Sequence, residues 1–270
     1  MKSASKKDLL PKIIFGFNKE WELKNWLVSC TKNISYDAKG QREWDLGGIP
    51  QEVEMLAEKN ESEEKLSREI KKILDKFLKT PKATHIIKDI TKRAGKRWGE
   101  AGKECLLGLS KMLNIPLEEF EKEYRAYFTF GKRIPFGKNS FMFNQFSDFP
   151  NTASHEIMHI EFLKRYGNYC SKKGLNEKQI DNLKEILTVL LNEDLAEFLY
   201  LPDRGYDSHR EIRKKILQLY RKHKKTKEDF SSFLDKVIEL IKERKGRRPN
   251  TSEKHTRKQS LANSPATQSG

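Results

Sequence analysis

The chain contains no run of eighteen apolar residues, so no segment of it reads as a membrane-spanning helix. Cysteine is scarce: three residues, Cys30, Cys105 and Cys170, widely spaced and without a C-x-x-C pair. That excludes a disulfide framework and a cysteine-ligated zinc site, leaves the three as small apolar packing residues, and makes a reducing cytoplasm the expected location. A cleavable leader is not expected either. The apolar stretch Leu9 to Phe17 is cut by Pro11 and Lys12, and no small-residue cleavage site follows. Acidic residues are outnumbered, 39 against 54 basic, which gives a net charge of +15 over 270 residues. The mean hydropathy of -0.81 would suit a disordered chain, but aromatics at 10% supply a core that disorder lacks. The positive charge is also uneven, because residues 204–270 hold 19 Lys and Arg against 8 Asp and Glu. A basic C-terminal region of this kind suits an anionic partner, and equally a solvated helix face.

Most of the chain has helical periodicity. One helix is expected near 18–29, within a stretch of aromatics and turns that includes Trp21, Trp26 and Trp44. Leu66, Ile70, Ile73, Leu74, Phe77 and Leu78 recur at three- and four-residue steps, with Pro81 ending the run and Asn60 and Ser62 dividing 51–79 into two helices. Two more helices are expected over 82–98 and 101–113, parted at Gly99, and a short helical turn over 116–123. The pattern then changes. Tyr124, Ala126, Phe128 and Phe130 alternate with more polar residues, turn chemistry fills 131–137, and Phe141 to Phe146 is aromatic again. This predicts a small antiparallel β-hairpin. A helix follows from about Asn151 to Tyr166, then a long one from a box-like start at Asn176 and Gln179 to just before Pro202. Capping-box spacings at Ser208/Glu211 and Thr226/Asp229 open the last two helices. Residues 246–270 are almost free of apolar side chains and read as a disordered basic tail. The expected fold class is α+β, predominantly helical: a helical part over 1–123, a part bearing the chemistry over 124–245, and the tail.

The chemistry lies in His155-Glu156-Ile157-Met158-His159, an H-E-x-x-H sequence where a helix is expected. Residues i and i+4 stand one above the other on a helix, so both imidazoles can reach one metal ion. Glu156 projects beside them and can take a proton from a water at that metal. The uncharged residues inside the motif, and Ile160, Phe162 and Leu163 after it, make a poor surface helix and a good wall for a buried site.

The motif resembles that of the zincin superfamily of zinc metallopeptidases. The resemblance covers about a third of the chain. It implies His155 and His159 as Zn2+ ligands, Glu156 as general base and later proton donor, and a strand, here 141–146, pairing by its edge with an extended peptide substrate. The metzincin pattern is absent, because Phe162 and Arg165 stand where its Gly and third His would be. The gluzincin pattern asks for a carboxylate from a later helix. Helix 177–200 offers Glu185, Glu193, Asp194 and Glu197. Glu185, Thr188 and Asn192 form one polar stripe through an otherwise apolar helix, and a carboxylate buried there needs a cation or strong hydrogen bonds, which a zinc ion would answer. Glu193 and Glu197 form a rival i, i+4 pair, similar to the gluzincin arrangement in which an acid orients a ligand histidine. The stretch Lys184 to Asn192 is similar to segments of uncharacterised prokaryotic H-E-x-x-H proteins. Glu185 is favoured, and Glu193 is kept as the alternative.

The turn 202–209 adds Tyr206 and His209 as donors for a tetrahedral oxyanion, and Asp203 as a group able to orient a histidine ligand. His85 and His223 have no chemical partners in the sequence. The expected function is zinc-dependent hydrolysis of a peptide bond in a peptide or protein substrate. A protease that cuts one specific partner in a regulatory role falls within this reading. The competing expectation is a non-enzymatic, basic nucleic-acid-binding or regulatory protein with a structural metal site.

Overall fold

A computed structural model describes residues 10–31, 35–36, 42–43, 47–59, 62–146, 148–226 and 228–246. Trp44, Asn60 and the expected tail from 247 onward lie outside the described residues. The element order is β1 (Lys12–Gly16), α1 (Lys19–Thr31), β2 (Ser35–Tyr36), β3 (Arg42–Glu43), α2 (Gln51–Glu58), α3 (Glu63–Leu78), α4 (Pro81–Leu113), β4 (Glu123–Phe128), β5 (Ser140–Phe143), α5 (Phe149–Lys172), α6 (Glu177–Leu187), α7 (Leu191–Asp194), α8 (Arg210–His223) and α9 (Phe230–Gly246). The class is α+β and mainly helical, as expected.

The sheet is not the expected antiparallel hairpin. It has three parallel strands in the order β1-β4-β5, with Ile13 beside Tyr124 and Ala126 beside Phe141. Alternation along β4 is as read: Tyr124, Ala126 and Phe128 are buried and Arg125 is exposed. The turn chemistry of 131–137 misled the prediction. It folds Pro135–Gly137 back along the outer edge of β5, where Gly137 N donates to Ser140 O (2.6 Å) and Met142 N to Pro135 O (2.9 Å). An antiparallel contact therefore exists, but inside the loop, and β4 is left to pair in parallel on both sides. It also means the edge of β5 is already used at Ser140 and Met142, so the edge expected to hold a substrate is taken by the chain itself. Strand β1 fell in a stretch read as irregular.

Helices begin and end largely where chemistry dictates. Ser62 caps α3, Thr80 caps α4 with Pro81 at its start, and the Asn176/Gln179 capping box opens α6. Helix α4 is one 33-residue helix, not two. Gly99, where the break was expected, lies in open space within the helix, and Gly108 serves close approach: a Cβ there would sit 2.1 Å from Leu195 Cδ2. Ser208 does not cap α8, whose N-cap is His209 after a 3-10 turn over 207–209. Asp229 rather than Thr226 receives the Ser232 amide at the start of α9 (2.9 Å).

Helix α5 runs through the middle of the core. It buries residues on every side, among them Ala153, Ile157, Met158, Ile160 and Phe162, and packs between α4, the sheet and α6. Phe149 at its start meets Phe15, Phe141 and Phe143 of all but the central strand at 4.9–6.2 Å between ring centroids. Each such buried ring contributes about 2 to 3 kcal/mol of apolar burial. The start of the motif helix is thereby packed onto the sheet.

Candidate metal centre

The first turns of α5 carry His155, Glu156 and His159, and α6 crosses them with Glu185. His155 Nε2 lies 3.7 Å from Glu185 Oε2, and His159 Nε2 lies 3.3 Å from Glu185 Oε1. One ligand atom from each of the three residues falls within 4.8 Å of the other two. Glu193 does not reach this cluster. It pairs with Arg221 of α8 at 2.9 Å, and Asp194 pairs with Lys224 and the Tyr220 hydroxyl. Among the described residues, this is the one His/Cys/Asp/Glu cluster with metal-holding geometry.

The buried atoms fit a cation. Neither ring nitrogen of His159 has a hydrogen bond among the described residues, nor has Oε2 of Glu156. Polar atoms left unpaired in a protein interior are costly, and His159 Nε2 stands at the cluster, 3.3 Å from Glu185 Oε1. His155 and Glu185 are the open side of the site, with side chains 25% and 19% exposed against 2% for His159.

A network behind the cluster orients it. Asp203 Oδ2 lies 2.7 Å from His155 Nδ1, which turns Nε2 toward Glu185. Asp203 Oδ1 accepts from Thr188 Oγ1 (2.8 Å) and from Arg213 (2.5 Å). Asn192 and Asp203 exchange two hydrogen bonds between the Asn192 amide and the Asp203 backbone (2.6 and 2.8 Å). The polar stripe of the sequence thus has a use at each step: Glu185 faces the histidines, Thr188 and Asn192 hold Asp203. The same network ends α6. Thr188 Oγ1 also lies 2.8 Å from the Glu185 carbonyl, so its one proton is shared between that oxygen and Asp203 Oδ1, and Arg213 Nη1 donates to the same carbonyl (3.1 Å), competing with the helix ladder for that acceptor. A 3-10 turn over 188–190 results, so the helix expected to reach Pro202 becomes α6, that turn and α7.

Charges follow the geometry. Burial disfavours charge on His155, but Asp203 and Glu185 outweigh it and hold the imidazole up at about 10. His159 is pushed down to about 4, by burial first and by His155, so it keeps a lone pair at neutral pH. Burial works against the charge on Glu185 as well, yet the two histidines and Lys184 hold its carboxyl far below the usual range. Asp203 behaves likewise beside His155 and Arg213. Glu156 is raised to about 7 by burial, with Glu185 adding to it and His155 opposing.

Tyr206 is 59% exposed at the mouth, and its hydroxyl titrates high through local desolvation and the Glu185 charge. His209 meets the Tyr206 ring edge-on at 5.5 Å. His223 stacks against Phe233 and Tyr220, far along α8, and His85 is exposed on α4.

Sequence reasoning missed Arg213 and Lys184. Arg213 was read with the basic surface, yet it is 4% exposed and clamps Asp203. The signal was its register with Ile216 and Tyr220, three and seven residues on, which puts it on the inner face of α8. Gly205, at φ +59, is the turn that admits it, since a Cβ there would lie 2.5 Å from Arg213 Nη1. The rest of the basic face is largely paired locally: Arg210 with Asp207, Lys214 with Glu211, Arg221 with Glu193 and Lys224 with Asp194, at 2.5–2.9 Å. No helix among the described residues is long and apolar enough to cross a membrane. Comparison with family models, with curated proteins and with solved structures finds no match.

Proposed function

We propose that this chain is a zinc-dependent metallopeptidase of gluzincin type, with His155, His159 and Glu185 as metal ligands and Glu156 as the general base. The observation that carries the reading is the convergence of two histidine nitrogens and a carboxylate beside Glu156, whose buried Oε2 has no partner. Zn2+ held there would supply a Lewis acid that polarises a substrate carbonyl and acidifies a water.

The chain's own residues do the rest. Asp203 accepts a hydrogen bond from His155 Nδ1–H, which fixes the tautomer whose Nε2 lone pair would be offered to a metal. Arg213 and Thr188 hold Asp203 in place. Glu156 takes a proton from the attacking water and passes it to the leaving amine. Burial raises this carboxyl, which makes it a better proton acceptor than an exposed glutamate. Tyr206, with His209 packed behind its ring, is the proposed hydrogen-bond donor to the oxyanion. His155 and Glu185 are partly exposed, which leaves the site reachable from solvent, whereas a purely structural site would be closed by a fourth protein ligand.

The test is metal content and peptide hydrolysis on the same preparations. The wild type should hold about one zinc per chain, as one such cluster implies. Glu156→Gln should keep the metal and lose hydrolysis, and His159→Ala should lose both. A His159→Ala protein as zinc-rich as the wild type sinks the site, and a fully active Glu156→Gln protein sinks the mechanism.

A further inference from the structure

Lys184 is an unusual neighbour for a metal ligand. It precedes Glu185 on α6, and its side chain is only 5% exposed. Lysine is among the residues least often buried, because its ammonium loses water without return unless it is paired. Here the pairing is specific. The Lys184 ammonium lies 2.5 Å from Glu185 Oε1, 3.1 Å from Asp181 Oδ1, and 5.0 Å over the Phe136 ring. Phe136 in turn packs against His159 at 5.4 Å between ring centroids, so the ring that faces the ammonium also braces a proposed ligand. Pro135–Gly137 is held there by its pairing with β5. The two oxygens of Glu185 are thus unlike. Oε1 is held by an ammonium and also lies 3.3 Å from His159 Nε2, whereas Oε2, 3.7 Å from His155 Nε2, has no ammonium beside it.

We propose that Lys184 is a positioning residue of the metal centre: it holds Glu185 Oε1, restricts Glu185 to one-oxygen coordination through Oε2, and competes with the metal for that carboxylate. The proposal rests on the metal-centre reading above. Restricting Glu185 to one oxygen leaves a coordination position that a two-oxygen carboxylate would fill, and an open position is what a catalytic site requires. Competition follows from charge. A like charge within 4–6 Å changes proton affinity tenfold or more, and a dication senses it at least as strongly. Lys184 therefore sets the affinity of the site below what its three ligands alone would give, and loading becomes responsive to the free metal concentration.

The experiment titrates Zn2+ into full-length protein against a competing chelating dye, and records the visible spectrum of the Co2+-substituted form as a report of coordination number. Lys184→Met should bind Zn2+ about tenfold tighter or more. Its Co2+ bands should weaken as Glu185 becomes bidentate and the metal more highly coordinated. Its thermal midpoint without metal should fall, because Glu185 loses its partner, and Zn2+ should restore more of it than in the wild type. Lys184→Arg should keep wild-type affinity and spectrum. Unchanged or weaker Zn2+ binding by Lys184→Met, with an unchanged Co2+ spectrum, overturns the proposal. If Lys184→Met does not fold, Lys184→Gln and the wild-type spectrum decide: weak, high-coordinate Co2+ bands in the wild type also overturn it. A wild type that takes up no metal overturns the metal centre itself, which is a different result from a loaded wild type that Lys184→Met merely copies.

Discussion

Two buried glutamates on α5 stand at positions 156 and 161, and the chain treats them in opposite ways. Five residues put them about 140° apart around the helix. Glu161 faces β4, where Oε1 accepts from the Glu121 amide at 3.0 Å and from the Tyr124 hydroxyl. Glu156 faces the histidines, and its Oε2 accepts from nothing among the described residues. They are 1% and 6% exposed, and burial raises the pKa of both. Burial therefore does not distinguish a structural carboxylate from one proposed to do chemistry. What distinguishes them is whether the fold supplies donors. At Glu161 it does, and the group is a bracket between helix and sheet. At Glu156 it withholds them, and the group stays free to take a proton from a ligand.

The comparison fails most visibly if the two substitutions have similar effects. Glu156→Gln should cost hydrolysis a factor on the order of a thousand, about 4 kcal/mol, with little change in stability. Glu161→Leu should spare zinc content while destabilising the fold by about 3 kcal/mol, because the Tyr124 hydroxyl and the Glu121 amide are left buried and unpaired. Urea unfolding and metal analysis on both proteins check this. If Glu161→Leu loses zinc, the two sides of α5 are coupled and the division is false. The effect of Asp203→Asn should lie between them. His155 would lose its orienting carboxylate, and zinc affinity should fall by about 10- to 100-fold with activity falling alongside. An unaltered zinc affinity would mean that packing alone orients His155.

How far the sequence could be read follows the same divide. His155, Glu156 and His159 were legible because a helix makes their spacing a geometry. Glu185 was legible as one step of a polar stripe in an apolar helix, and Asp203 as an acid next to the ligand helix. Alternation along 124–128 gave a strand with the right buried face. The pairing of that strand was not legible, because turn residues at 131–137 fit a hairpin whichever strand they return to. Strand β1 was hidden among aromatics whose partners lie more than a hundred residues on. Lys184 and Arg213 were hidden for a different reason. Charge in a basic sequence reads as surface, and only their register with Leu183, Ile186 and Leu187, or with Ile216 and Tyr220, says otherwise. Non-local contacts decide these points, and periodicity carries only local information.

A third buried glutamate sharpens the comparison. Glu22 on α1 is fully buried and combines both treatments in one side chain. Its Oε1 accepts from Trp26 Nε1 (2.6 Å) and the Phe130 amide (2.9 Å), as at Glu161, while its Oε2 has no partner, as at Glu156. Among the described residues, it belongs to no metal-holding cluster. Burial therefore wins and lifts its carboxyl from 4.5 to about 7, against the hydrogen bonds that oppose the shift. An acid whose folded pKa is raised contributes stability that is complete below its unfolded value and lost as pH rises through the folded one. The window is thus pH 4.5 to about 7, and the loss across it is at most about 3 kcal/mol. Glu22→Gln keeps the acceptor for Trp26 and Phe130 and cannot ionise. It should match the wild type near pH 4.5 and exceed it in stability at pH 8, by up to that amount. Urea unfolding at the two pH values, read as the difference between the two proteins, isolates Glu22 from the histidines and carboxylates of the metal centre. A Glu22→Gln protein no more stable than the wild type at pH 8 would show that the fold does satisfy this carboxylate, and would place Glu22 with Glu161 rather than between the two.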